Sequence, residues 1–392
     1  MKTRGILQRL LAALSGGISK LLGRPHVFPL SDRLLADALR LCAIPSPTEH
    51  ETERAMFIAE RLGALSLPYT IDDEGNILTR AGAVLEEDIG AEPLLVFTRL
   101  GSERWNPLES LAHLDMEYAR GAGLADVLGP AALLSVAEAY AEGRLVTGRD
   151  IMLFFSALSF DDPESDAFKT VSAGKLRPAA AIGVQGFSLG ALTSHSLGSC
   201  RAEIMVSEDS RPESENVLVN TLLQLASQVQ VAAAACAVPV YLNRIEAIGS
   251  RGHTPHEGAL DVELETSDKN MLDAAIGRIK AITESFETPA RRNEGSGGIS
   301  AAFRILSSIP PGDPEPSAGL VQTLKVLMKE LKIKAAENAR PDPSSFLSTL
   351  GIPAISVGIA SGREALNYDK VEIASIEKGR MLLERLISLL GA

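Results

Sequence analysis

From Leu30 onward the sequence alternates helix-period segments with short apolar runs, and that alternation restricts the chain to layered α/β architectures. Residues 31–43 and 49–65 read as amphipathic helices separated by Ile44-Pro45-Ser46-Pro47-Thr48. The two prolines end the first helix, and Thr48 suits the cap of the second. Asp73-Glu74-Gly75-Asn76 reads as a turn before Ile77-Leu78, and Leu94-Leu95-Val96-Phe97 as a short buried strand. The segment 130–142 is helical, and Ile151–Phe155 and Ala179–Val184 are two further buried strands. A helix lying between buried strands implies a parallel crossover.

After Gly190 the texture changes. Segments such as Ala202–Val206 and Leu260–Glu265 alternate apolar and polar residues, as strands with one wet face do. The order of strand 200–206, helix 213–229, strands 238–248 and 258–266, helix 269–285 and strand 299–306 resembles a split βαβ unit. The proline-rich loop Ser307–Ser317 leads to a helix at 318–332. Gly351-Ile352-Pro353 precedes a strand at Ala354–Gly358, and residues 373–390 close as an amphipathic helix. The expected architecture is a mixed α/β sheet flanked by helices, built from residues 30–190 and 309–392. A smaller α+β domain at 191–308 is inserted in it, preceded by a basic segment at 1–29.

A length of 392 residues suits two to three packing units. Lys and Arg number 38 against 50 Asp and Glu, a formal charge of −12, which argues against a protein built to hold nucleic acid. Cys42, Cys200 and Cys236 form neither CxxC pairs nor a disulfide framework, which suits a reducing, cytoplasmic setting. Uninterrupted apolar runs of membrane-spanning length are not found. Residues 1–25 contain Lys2, Arg4, Arg9, Lys20 and Arg24 with no acid. Their apolar residues recur at helical spacing, a pattern suited to docking on protein or to weak contact with an anionic membrane surface.

Several segments together resemble the zinc-dependent exopeptidases of the aminoacylase, carboxypeptidase and peptidase T type, related to the tetrahedral aminopeptidases. Ile44–Thr48 with Glu51, then Asp73–Asn76, is similar to the family's opening helix-loop-helix and its D-x-x-G-N turn. Gly121-Ala122-Gly123-Leu124-Ala125-Asp126 resembles the loop that supplies its metal-bridging aspartate. Gly351–Ala354 and Tyr368–Glu377 look like its last strand and closing helix, and Arg340-Pro341-Asp342-Pro343 like a further loop. The resemblance implies an inserted domain that serves as lid and dimerisation surface, and a homodimer. It also implies two zinc ions bridged by one carboxylate, with a glutamate activating water.

Most of that ligand set is replaced here. Where the family's pattern has His-x-Asp, this chain has Arg99 and Gly101; its Glu-Glu pair falls on Ser159 and Phe160; its next carboxylate falls on Gln185. The imidazole of the C-terminal His-x-x-x-Glu falls on Ala365, with Asp369 at the acid. Guanidinium has no lone pair to offer a cation. Asp126 is the one retained ligand position, and a charge-assisted bond from Arg99 is the expected way to neutralise it. His113, Asp115, Asp161 and Asp162 are weaker alternative ligands. His113 precedes Asp126 by 13 positions against 27 for Arg99, and the longer gap is nearer the family's. His195, His253 and His256 lie in or beside the inserted domain and read as loop residues. The expectation is a degenerate, noncatalytic homologue that binds a peptide-like or small amide ligand or a partner and needs no cofactor. The alternative is an active zinc hydrolase of peptide or N-acyl amide bonds with an unconventional ligand set.

Overall fold

The computed structural model describes residues 30–46, 50–81, 92–101, 112–157, 177–192, 196–209, 217–248, 256–286, 298–312, 315–337, 340–342, 344–364 and 368–392. Helix α1 (Leu30–Ala43) buries Leu34, Leu35, Ala38, Leu41 and Cys42, a stripe at helical spacing. Its Arg33 reaches back to Glu138 at 2.7 Å and Glu142 at 3.1 Å. Helix α2 (Thr52–Ala64) starts three residues later than expected, with Glu51 rather than Thr48 at its N-cap; Thr48 lies outside the described residues. Its inward stripe is Arg54, Ala55, Ile58, Ala59 and Leu62, so one charged residue occupies a core position.

Strands β1 (Tyr69–Ile71), β2 (Ile77–Ala81) and β3 (Leu94–Arg99) follow, then the short β4 (His113–Leu114) and β5 (Tyr118–Gly121). Helix α3 runs Leu124–Ala141, starting at the glycine loop rather than at 130. Strands β6 (Ile151–Ser156), β7 (Ala180–Gln185) and β8 (Ala191–Leu192) complete this stretch. The chain next forms β9 (Ser196–Asp209), α4 (Val217–Ala234), β10 (Val240–Ile248), β11 (Glu257–Thr266), α5 (Lys269–Ser285) and β12 (Gly298–Ile309). It continues through α6 (Ala318–Glu330), β13 (Ala336–Glu337), β14 (Arg340–Pro341), α7 (Ser345–Thr349), β15 (Ala354–Gly358), β16 (Gly362–Glu364), β17 (Asp369–Glu372) and α8 (Ile373–Leu390).

Two compact units result. The first takes the described residues within 1–194, 314–338 and 350–392. Its main sheet has the order β1-β2-β6-β3-β7-β15: β6, β3, β7 and β15 are parallel, and β2 joins β6 antiparallel. Connections from β3 to β6 and from β7 to β15 leave in opposite directions. The carboxyl ends of the adjacent β3 and β7 therefore flank a topological switch point, where open α/β sheets place ligands. A second sheet has the order β16-β17-β5-β4.

Helix α3 is the central element of this core. Val127, Leu128, Ala131, Ala132, Leu133, Leu134 and Val136 are all buried, so the helix is apolar on every side. In length and mean hydropathy both α3 and α4 match a membrane span. Within the units, α3 is mostly enclosed, and α4 buries the single face bearing Leu218, Leu222, Leu225 and Val229.

The second unit takes the described residues within 195–313 and 339–349. Its sheet, β10-β11-β9-β12, is antiparallel, and the β-α-β-β-α-β order is that of a split βαβ unit. Leu218, Leu222 and Leu225 of α4 and Leu272 and Ile279 of α5 share a core with Ile204, Val206, Leu260 and Val262. Asp268 caps α5 by accepting from the backbone amides of Asn270 at 2.8 Å and Met271 at 3.2 Å. Residues 339–349, expected in the larger domain, group with this unit because β14 pairs in parallel with β9 at Arg340–Ser196 and Pro341–Leu197.

Candidate functional site

The carboxyl end of β3 delivers Arg99, Leu100 and Gly101, and that of β7 delivers Gln185 and Gly186. Thr98 ties the two strand ends together by donating to the Val184 carbonyl at 2.9 Å. The first turns of α3 lie directly on this junction. A β-carbon at Gly129 would stand 2.3 Å from Thr98 Oγ1, and one at Gly186 would overlap the Ala125 carbonyl. Glycine at both positions lets backbone meet backbone and fixes Asp126, in the first turn of α3, above the switch point.

The N-terminus of α3 has no local side-chain cap, because its N-cap is Gly123 in the left-handed conformation at φ 68°. A distant residue fills that role: Asp369 Oδ2, 2% exposed, accepts from the Ala125 amide at 3.0 Å. One of the helix's orphan amides is thereby satisfied and a negative charge is set at the positive end of the dipole. The acid that aligns with the Glu of the resembled family's C-terminal His-x-x-x-Glu is thus engaged as a helix cap.

Gly101 aligns with the carboxylate that steadies the metal-binding histidine in the resembled family. A β-carbon there would lie 2.6 Å from Glu51 Oε1, so the Glu51 carboxylate fills the space a side chain at 101 needs. Glu51 is 4% exposed. One helical turn further along, Arg54 is 1% exposed, and its guanidinium donates to the carbonyls of Leu100 at 2.6 Å, Leu41 at 3.1 Å and Ile44 at 3.3 Å. Burial pulls the Arg54 pKa down to about 10; Asp126, Cys42 and Glu51 pull it back up, and Arg99 lowers it further. Cys42 donates to the Ala122 carbonyl at 3.2 Å. Burial pushes its thiol up to about 11, opposed by Arg54 and reinforced by Asp369 and Asp126. Cys42, Glu51, Arg54, Arg99, Asp126 and Asp369 therefore form one electrostatically coupled cluster with two guanidinium groups among three carboxylates.

The nearby turn is built from Asp72 and Asn76. Asn76 Oδ1 accepts from the Ala157 amide at 2.8 Å, just past the end of β6, while its amide group donates to Asp72 Oδ2 at 2.9 Å. This turn anchors a strand end and brings no side chain to the cluster.

Of the weaker ligand candidates, His113 and Asp115 lie among the described residues. His113 sits on the two-residue strand β4, pairing with Arg120, although no strand pattern marks it in the sequence. Asp115 Oδ1 closes the following turn by accepting from the amides of Glu117 and Tyr118, which hold its pKa below the usual carboxylate range, and it pairs with Arg120 at 3.2 Å. In the second unit, Asp342 accepts from the amide and hydroxyl of Ser344 and starts α7. His256 is exposed, and its carbonyl accepts from the Glu208 amide. Ser159, Phe160, Asp161, Asp162, His195, His253 and Ala365 lie outside the described residues.

Among the described residues, no group of three or more His, Cys, Asp or Glu side chains is arranged to hold a metal ion. Among the described residues, the donor set does not fit a dinuclear zinc centre. Arg99 offers no lone pair, Gln185 offers a neutral amide, the space beside Gly101 holds Glu51, and a buried guanidinium lies in the field of Asp126.

Sequence reasoning passes over Arg54, Cys42 and the capping role of Asp369. The available signal for Arg54 was its place on the inward stripe of α2, in line with Ile58 and Leu62, where a cation needs internal partners.

No protein-family model matches the sequence, and no curated protein matches it in sequence. Solved structures match over nearly the whole chain. Human carnosine dipeptidase 1 superposes with a TM-score of 0.70 at 9% identity, covering 92% of this chain and 97% of its own. The di-peptidase Dug1p from Saccharomyces cerevisiae gives 0.69 at 11%, covering 92% and 96%. The Bacillus subtilis YXEP protein, described as a dinuclear metal-binding peptidase of the M20 family, gives 0.56 at 14%, covering 92% and 98%. The mixed sheet and its flanking helices thus match the M20 peptidase fold, and this chain has that fold.

Proposed function

We propose that the chain is a noncatalytic member of this metallopeptidase and amidohydrolase fold, retaining the crevice for a peptide-like or small amide ligand or for a partner. The observation that carries this reading is the make-up of the strand ends at the switch point: Arg99 and Gln185 end the two central strands, and Glu51 fills the side-chain space of Gly101. Zinc-assisted hydrolysis needs about four donors per ion and an activated water. Those strand ends instead supply a guanidinium, a glycine and an amide. Incubating the full chain with dipeptides and N-acyl amino acids, with and without added zinc, tests this reading. No metal-dependent turnover is expected, and chelator-sensitive hydrolysis at an enzyme's rate would refute it.

The competing reading, an active hydrolase with unconventional ligands, draws on the retained Asp126 and on one neighbour described as a dinuclear metal-binding peptidase. Binding of unhydrolysed dipeptides by calorimetry separates the two when combined with the turnover assay. A homodimer formed through the inserted unit belongs to the same proposal, with sedimentation velocity of the full chain as its test. The three free thiols suit a reducing compartment.

A further inference from the structure

The four-stranded sheet β16-β17-β5-β4 carries a feature that the crevice does not use. Its antiparallel registers set His113 opposite Arg120, Arg120 opposite Lys370, and Lys370 opposite Arg363. Directly opposed residues point to the same face, so these four side chains form one row across all four strands. Their strand neighbours Ala119, Gly121, Asp369 and Val371 are buried on the other face, whereas His113, Arg120 and Arg363 are exposed and Lys370 is half-buried. With strands about 4.8 Å apart, the row is about 14 Å long.

Like charges set directly opposite each other on a sheet oppose folding, and compensation within the chain is partial. Asp115 pairs with Arg120 at 3.2 Å, and the Lys370 ammonium lies 3.6 Å from the centre of the Tyr118 ring on the same face. Arg363 and His113 form no ion pair with any described residue, and neither does Glu372, which lies opposite Tyr118 at the far end of the face. Basic residues on outer strands guard a sheet against edge-to-edge pairing, which accounts for His113 on β4 and Arg363 on β16. It does not account for Arg120 and Lys370, which stand on the two inner strands. The row is also opposite in sign to the chain, whose formal charge is −12.

We propose that this face docks an acidic segment of a protein partner, with Arg363 and Lys370 as its main contacts. A row of about 14 Å matches an extended run of about four or five residues bearing carboxylates. Tyr118, and Tyr368 two residues before Lys370, add aromatic surface beside the charges; Tyr368 is 46% exposed. A short acidic run fits better than a nucleic acid or an anionic membrane, because the acids on the rest of the chain would repel an extended negative surface. The inference does not depend on whether the crevice is catalytic.

The test uses the full chain and a fluorescein-labelled hexaglutamate peptide, followed by anisotropy at neutral pH and low salt. Saturable binding is expected, weakened about tenfold when the ionic strength is raised to about 0.3 M, because the contacts are exposed. Arg363→Ser with Lys370→Ser is expected to weaken binding about tenfold while leaving the thermal midpoint within about 2 °C of the parent, since surface substitutions cost little. Lys329→Ser with Lys378→Ser removes the same charge from exposed positions on α6 and α8 and should leave binding within about twofold of the parent. Equal loss in both double variants would reveal a general charge effect and overturn the site. No binding by the parent, or tighter binding of the parent to phosphatidylserine vesicles than to the peptide, would also overturn it. So would unchanged peptide binding by Arg363→Ser with Lys370→Ser together with new self-association in sedimentation, the mark of edge protection alone.

Discussion

Glu51 Oε1 stands 2.6 Å from the point where a β-carbon on Gly101 would be, so these two residues compete for one volume. The glycine at the end of β3 and the glutamate before α2 are therefore a matched pair. Gly101→Asp is expected to destabilise by about 1–3 kcal/mol, through overpacking and the approach of two buried carboxylates. In a Glu51→Ala background the same substitution should cost less, with a coupling of about 1 kcal/mol or more in a urea-unfolding double-mutant cycle. Additive effects would show that the two side chains do not share the space.

Asp369 caps a helix more than 240 positions away in sequence by accepting from the Ala125 amide. Asp369→Ala is expected to cost about 1–2 kcal/mol, combining loss of the cap with loss of a negative charge at the helix N-terminus. Asp369→Asn keeps an acceptor and should cost less. Amide hydrogen exchange at Ala125 reports the change directly: it should accelerate in Asp369→Ala relative to amides in the middle of α3.

The thiols of Cys42 and Cys200 are both fully buried, and burial raises each from the ordinary 9.0 to about 11. Each thiol holds its proton more tightly folded than unfolded. Their contribution is therefore complete below pH 9 and is lost as the pH rises through 11, worth roughly 2–3 kcal/mol per thiol. Arg54 acts oppositely, but only above pH 10, where its folded form gives up its proton first. Urea midpoints should accordingly fall between pH 8.5 and 10, and Cys200→Ala should flatten that decline. In the folded chain at pH 8 a thiol reagent should label the half-buried Cys236 quickly and the other two only on unfolding.

Asn76 joins the turn after β1 to the end of β6 and is 2% exposed. Asn76→Ala would leave the Ala157 amide without its acceptor, a loss of about 1–3 kcal/mol. Asn76→Asp keeps an oxygen there but loses the donation to Asp72, and the two acids would repel. It should destabilise at neutral pH at least as much as alanine does, and urea unfolding at pH 7 compares the two.

The sheet elements were legible because burial imposes periodicity. The β3, β6 and β7 runs are continuous apolar stretches, and β9 and β11 alternate as sheets with one wet face do. Boundaries set by distant contacts were not legible. Helix α3 begins at Leu124, since Asp369 supplies its cap and Gly129 and Gly186 allow its close approach to the strands. Residues 339–349 join the inserted unit through a two-residue pairing with β9 that no local pattern announces. At the site, Arg99, Gly101 and Gln185 could be picked out by resemblance. The partners of Arg54 could not, because they are the backbone carbonyls of Leu41, Ile44 and Leu100, which carry no sequence signature.

The most direct measurement is the metal content of the purified full chain by elemental analysis after mild dialysis. A crevice whose strand ends carry arginine, glycine and glutamine should hold well below one zinc per chain, and added zinc should neither bind stoichiometrically nor raise the thermal midpoint. Two tightly held ions per chain, accompanied by chelator-sensitive hydrolysis of a dipeptide or N-acyl amino acid, would contradict it.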